Sequence, residues 1–117
     1  MANDPYLGRL MTADEALAPV KSGTNVFVGS GAAEPQFLVE ALSRRAPELA
    51  DTGVTHILTL GTAPYTRAEY AGHLRHNALF IGDNVRDAVR RGAADYTPCL
   101  LHEIPMGPLT SIMARCP

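Results

Sequence analysis

Few side chains in this 117-residue sequence combine a reactive type with a suggestive position. Glu34 and Glu103 each stand beside a turn and a proline. A carboxylate held in a cleft can attack a thioester carbonyl and form a covalent acyl intermediate. A glutamate beside a turn more commonly serves as a surface cap or ion-pair partner, and neither residue is expected to be the catalytic group. Ser30 and Thr62 lie in two turns of small residues. Their hydroxyls can bond a substrate carboxylate or satisfy their own turns. His73 and His76 have nearly the spacing of metal ligands on a helix, but no third ligand lies at a convincing distance. Exposed polar histidines at a helix end, with no metal, are the expectation. Cys99 falls in an apolar segment, where an inert thiol buried in a strand is expected. No Gly-x-Ser-x-Gly elbow is present, so there is no hydrolase triad.

These residues need elements to hold them. Val26-Phe27-Val28 reads as the end of a buried strand, and Gly29-Ser30-Gly31-Ala32-Ala33-Glu34-Pro35 as the turn that follows it. Pro35 suits the first turn of a helix. That helix is expected to turn Phe37, Leu38, Ala41 and Leu42 to one face and to stop at Pro47. Upstream, Thr12-Ala13-Asp14-Glu15 has the pattern of a capping box, and Gly23 is expected to end the helix it starts.

Downstream, residues 54–60 form the clearest strand pattern, with its carboxyl half, 56–60, leading into the turn Gly61-Thr62-Ala63-Pro64-Tyr65. Residues 67–74 suggest a short helix, 78–81 a third strand, and 99–101 a fourth. Between the last two, Asn84 is placed to cap a helix with Val85, Ala88 and Val89 inward, which Gly92 ends. Strand and helix alternate, so the expected fold class is α/β: a mostly parallel sheet with helices on both faces and right-handed crossovers. Ligands of such sheets sit at the carboxyl ends of the strands, where both small-residue turns lie.

Composition narrows the function classes. Hydrophobic residues make up 46% and charged residues 19%, a globular balance. The net charge is −2 with scattered Lys and Arg, which argues against a nucleic-acid partner. No apolar run reaches the roughly 20 residues of a membrane span, and residues 1–5 do not begin a secretory signal. Two cysteines, Cys99 and Cys116, make no disulfide framework. A reduced, cytoplasmic setting follows as the expectation. The first turn is neither a P-loop nor a dinucleotide fingerprint, because the required Gly-Lys-Ser/Thr and third glycine are absent.

Six segments in order carry a resemblance. They are residues 10–16, 26–35 and 58–65, then His73-Leu74-Arg75-His76-Asn77-Ala78-Leu79-Phe80-Ile81-Gly82, Asn84-Val85-Arg86-Asp87-Ala88-Val89 and Gly92-Ala93-Ala94-Asp95-Tyr96-Thr97-Pro98. Over about residues 10–105 the chain resembles the N-terminal domain of the acetyl-CoA hydrolase/transferase family, in the branch with 4-hydroxybutyrate CoA-transferases. The resemblance implies the fold of the N-terminal half of a CoA-transferase. It implies coenzyme A as acyl-CoA substrate, a short-chain carboxylate as co-substrate and no metal. It places the active site between two similar α/β domains. The catalytic glutamate and main CoA loop belong to the C-terminal one, so no catalytic residue is assigned in this chain. The substrate-binding residues it implies are Gly29, Ser30, Gly31, Ala33 and Pro35 at the first turn, and Gly61, Thr62 and Tyr65 at the second.

After Pro105 the sequence departs from the family's pattern. The expected organisation is a lead-in over residues 1–11, an incomplete domain over 12–105 and an atypical tail over 106–117, as in a truncated, frame-shifted or diverged short product. Such a chain is expected to need a C-terminal CoA-transferase domain for activity. It should also expose apolar surface and self-associate as a homo-oligomer. The alternative reading is a non-catalytic α/β module that binds a small metabolite or a partner.

Overall fold

The computed structural model describes residues 5–105. Four strands form one sheet in the order β1-β2-β3-β4, and every neighbouring pair is parallel. The strands are β1 (Asn25–Phe27), β2 (Thr52–His56), β3 (Leu74–Ala78) and β4 (Ala94–Tyr96). Three helices accompany them: α1 (Ala13–Leu17), α2 (Gln36–Arg44) and α3 (Asp83–Arg90). The α/β class and the parallel sheet are as expected, and the differences lie in where elements start and stop.

Thr12 does cap α1: its hydroxyl accepts from Glu15 N, while the Glu15 carboxylate accepts from Thr12 N. The helix ends at Leu17, not at Gly23. Pro19 has no N–H to carry the helix on, and the Arg45 guanidinium takes up the carbonyls of Leu17 and Val20. Gly23 instead turns the chain into β1 at φ +78°.

The expected inner face of α2 is half right. Ala41 and Leu42 are buried, together with Val39, whereas Phe37 is 69% exposed and Leu38 borders on solvent. The helix is rotated to press Val39 and Leu42 into the core. That core joins them to Val28, Leu49, Val54, Tyr65, Leu74, Ala78 and Val85.

β2, β3 and β4 all lie upstream of the segments expected for them, 56–60, 78–81 and 99–101. The reason is common to the three: apolar residues continue past the last ladder bond into the turns at the carboxyl edge. Leu60 and Phe80 are 70% and 60% exposed. They have strand chemistry but no sheet to bury against. Residues 67–74 are not a helix. Two 3-10 turns, Pro64–Thr66 and Ala68–Tyr70, lead to Gly72 at φ +82°, and Leu74 already opens β3. Gly92 ends α3 as expected, at φ +70° with its N–H on the Val89 carbonyl. Gly82 rather than Asn84 occupies the N-cap of α3. The tail over residues 106–117, with Cys116, lies outside the described residues.

Candidate functional site

All strands point the same way, so the turns after β1, β2 and β3 emerge side by side at one edge of the sheet. The first turn is bonded to the second. Val28 N donates to Thr55 O at 2.8 Å and Gly31 N to Leu58 O at 2.8 Å. The Ser30 hydroxyl accepts from Ile57 N at 3.0 Å and from Leu58 N at 3.3 Å, in place of a strand carbonyl. Gly31, at φ +63°, adopts a backbone that a side chain would strain. The second turn is bonded to the third. Asn84 Nδ2 donates to Gly61 O at 2.5 Å and to Thr59 O at 3.3 Å.

Glu34 joins the first two turns through its side chain. It is 92% buried, and its Oε2 accepts from the Thr59 hydroxyl and from Gly61 N at 3.1 Å. The expectation of a surface cap is therefore overturned for Glu34. It holds for Glu103, which is exposed and accepts from Leu100 N at 2.9 Å.

Behind Glu34 lies a row of buried rings. His56 and His76 have centroids 4.3 Å apart, and the Tyr65 ring lies tilted 5.0 Å from His76. His76 Nδ1–H donates to Val54 O at 2.9 Å. Among the described residues, every buried side-chain nitrogen or oxygen without a hydrogen-bond partner belongs to this group: Glu34 Oε1, both nitrogens of His56, Tyr65 Oη and His76 Nε2. Unpaired polar atoms are uncommon in protein interiors. Four residues of that kind in one place mark the site more sharply than any pocket shape.

The electrostatics follow from burial. Desolvation pushes the His76 pKa down to about 4, helped by neighbouring His56 and opposed by its bond to Val54 O and by Asp95. Desolvation also lowers His56, against the pull of the Glu34 charge. Burial raises Tyr65, and the Glu34 charge adds to the rise while the Thr59 hydroxyl opposes it. Both imidazoles are thus neutral at pH 7. The expectation of exposed histidines at a helix end is overturned: His76 is 1% exposed on β3, and half-buried His73 bonds Leu49 O at 2.7 Å. They face different partners, and no group of three His, Cys, Asp or Glu among the described residues could hold a metal ion.

A cleft of about 380 Å³ opens between the second and third turns. Leu58, Leu60, Phe80 and Ile81 form its apolar walls, and Asn84 and Arg86 stand at the start of α3. Arg86 is paired with Asp83 at 3.0 Å.

The model of the acetyl-CoA hydrolase/transferase N-terminal domain matches residues 1–110. The chain belongs to this family. Among curated relatives, it is 37% identical over 100 residues to a 4-hydroxybutyrate coenzyme A transferase of Clostridium kluyveri. It is 43% identical over 95 residues to a succinyl-CoA:acetate/propanoyl-CoA:succinate CoA transferase of Fasciola hepatica. These matches take in 86% and 80% of the chain but only 23% and 20% of the relatives, so the chain spans under a quarter of their length. Among solved structures, RipA from Yersinia pestis superposes with a TM-score of 0.78 at 27% identity, over 87% of this chain and 26% of that one.

Within this acetyl-CoA hydrolase/transferase domain, the residues singled out from sequence do not share one surface. Gly29, Ser30 and Gly31 are half-buried in the bonded part of the first turn, while Ala33 and Pro35 are exposed. Gly61 is half-buried, Thr62 is exposed, and Tyr65 is 1% exposed, behind the turn rather than on it. Thr62 borders a separate recess of about 250 Å³ with Arg44 and Arg67. Cys99 is half-buried and outside any strand, which corrects the expectation of a thiol buried in one.

The third turn, with Phe80, Asn84 and Arg86, was missed. The signal is present, because residues 81–84 also read as the end of a strand and the start of a helix, with Gly82 as the terminator between them. His56 was also missed. A histidine inside a β-rich run carries no sign of whether it will be paired.

Among the described residues no helix is long and apolar enough to cross a membrane.

Proposed function

We propose that this chain forms the N-terminal wall of the substrate cleft of an acyl-CoA:carboxylate CoA-transferase or acetyl-CoA hydrolase. The observation that carries the reading is the cross-bracing of three strand-to-helix turns by Ser30, Glu34 and Asn84 at the carboxyl edge of a parallel sheet, the edge where ligands of such sheets bind. The family match and the named CoA-transferases among the relatives support it. The cleft suits a short acyl chain against Leu58, Leu60, Phe80 and Ile81, with the polar start of α3 beside it. A 4-hydroxybutyrate-type carboxylate and acyl-CoA are the proposed substrates, with Gly29, Ser30, Gly31, Ala33, Pro35, Gly61, Thr62 and Tyr65 as the residues that form or back the wall. A cytoplasmic setting and a homo-oligomer complete the reading.

In such a reaction a glutamate carboxylate attacks the thioester carbonyl. A C–O bond forms, the C–S bond breaks, and CoA leaves as a thiolate. The thiolate then attacks the glutamyl carbonyl of the anhydride, which frees the carboxylate and leaves a glutamyl-CoA thioester. Positioning and preorganised dipoles supply most of the rate in a site of this kind. The residues of this chain would orient the acyl group and exclude water. The nucleophile and the CoA loop would come from a C-terminal CoA-transferase domain.

The test is free-thiol release from acetyl-CoA by the purified 117-residue chain, with and without acetate, succinate or 4-hydroxybutyrate. No release above background is expected, together with weak amide shifts around residues 58–62 and 80–86 on adding butyrate. Turnover would refute the incompleteness of the site, and Glu34 and Glu103 would then be the first residues to substitute. Absence of any butyrate shift would refute the cleft.

A further inference from the structure

Residues 57–61 have run past the end of β2, where ladder pairing has stopped except at the single bridge of Gly31 with Thr59. Burial holds only part of this segment, at Thr59, which is 2% exposed. Leu60 is 70% exposed and Gly61 has no side chain. The Ser30 hydroxyl takes up Ile57 N and Leu58 N at its near end. The far end is fixed by polar contacts from two sides, Asn84 on one and Glu34 on the other, with Gly61 N shared between Glu34 Oε2 and the Thr59 hydroxyl.

Glu34 is an expensive choice for that task. Burying a carboxylate costs several kcal/mol unless its bonds return the loss, and here Oε1 is left without a partner. An amide or an apolar side chain would hold a purely structural turn at lower cost. The carboxylate does two things neither would do together. Its Oε2 gathers two donors, the Thr59 hydroxyl and Gly61 N–H, onto one atom. Its charge also acts on His56, the ring at the start of the buried row.

We propose that Glu34 is the positioning residue of the pocket wall, its carboxylate holding Thr59 and Gly61 against the first turn while the buried His56 ring backs it. Glu34 then acts through the turn and does not touch substrate. The inference rests on the reading of these turns as a carboxylate pocket. The backbone of Gly61 is what Glu34 sets, through the bond from Gly61 N–H to Oε2.

The experiment follows amide hydrogen exchange, imidazole titration and butyrate binding by NMR in the 117-residue chain and three variants. In Glu34→Ala, Gly61 N–H is expected to exchange at least about tenfold faster, from loss of a charge-assisted bond, with Val54 N–H in β2 unchanged. Glu34→Asp, one methylene shorter, keeps the charge and the fold but falls short of Gly61, and should show the same acceleration. Glu34→Gln keeps an accepting oxygen, so Gly61 stays protected. It removes the charge that faces His56, whose other titratable neighbours are His76 and Tyr65, so the His56 titration should move further down.

Butyrate-induced shifts at residues 58–62 are expected in the parent chain and in Glu34→Gln, and to be lost in the other two. Unchanged Gly61 exchange in both Glu34→Asp and Glu34→Ala, or an unmoved His56 in Glu34→Gln, overturns the proposal. If Gly61 loses protection as expected but butyrate shifts nothing even in the parent chain, the positioning role stands and the pocket reading fails. If Glu34→Ala does not fold, Glu34→Asp and Glu34→Gln decide the matter.

Discussion

The imidazoles of His56 on β2 and His76 on β3 lie against each other in the core, centroids 4.3 Å apart and planes tilted by 35°, and neither is more than 1% exposed. Two such rings stay together only while both are neutral. A proton on either would be a buried cation beside a polar ring, with no carboxylate bonded to it.

Acid should therefore unfold this protein early. His76 is held at about 4 in the fold against 6.5 unfolded. Between those values the unfolded chain binds more protons than the folded one, so stability is full above about pH 6.5 and falls as pH drops toward 4. The loss from this one group is on the order of 3 kcal/mol. His56 adds to it with the same sign. Urea melts between pH 7 and pH 4 check this. In His76→Phe the slope over that range should flatten, even though the bond to Val54 O is lost and neutral-pH stability falls. An equally steep slope in the variant would refute the assignment.

Arg75 and Asp95 form a two-pronged bond between β3 and β4, with Nε to Oδ2 at 2.7 Å and the second nitrogen to Oδ1 at 2.6 Å. Asp95 titrates below the ordinary carboxylate value, first because of its hydrogen bond to Arg75. Both side chains are about half exposed, so solvent screens the pair. Asp95→Asn should cost no more than about 1 kcal/mol at neutral pH. The contribution is present above the unfolded aspartate pKa and fades as pH falls below it. Comparing parent and variant melts at low and high salt checks the point: the difference should shrink in about 0.5 M salt.

Leu60 and Phe80 stand 70% and 60% exposed on neighbouring turns, at the mouth of the cleft. Contiguous exposed apolar surface usually marks an interface. The isolated chain should self-associate as concentration rises, and the double change Leu60→Ser with Phe80→Ser should reduce that without lowering thermal stability by more than about 1 kcal/mol, since neither side chain is in the core. Sedimentation velocity over a concentration series measures it. A parent chain that stays monomeric would sink the idea.

Local signals in the sequence held where the physics is local. The Thr12–Glu15 capping box needs four residues and nothing else, and it formed. Gly92 ended α3 because only its own backbone has to take the left-handed turn. The alternation of strand and helix was enough for a parallel sheet, since short parallel crossovers leave few other topologies. The family, too, was legible, from six short segments in order.

Strand ends were not legible. Leu58, Leu60 and Phe80 have the same residue types as true strand positions, and only the sheet's edge decides that they lie beyond it. The rotation of α2, which exposes Phe37 and buries Val39, depends on which neighbours the helix meets. Glu34 and His56 are the clearest case. In the sequence they are a turn glutamate and a strand histidine, 22 positions apart. Bringing them together required β1 and β2 to pair in register, Val26 opposite Val54, so that both turns rise from the same edge. Hydrogen-bond partners and desolvation are properties of that assembled neighbourhood, and tertiary structure alone creates it.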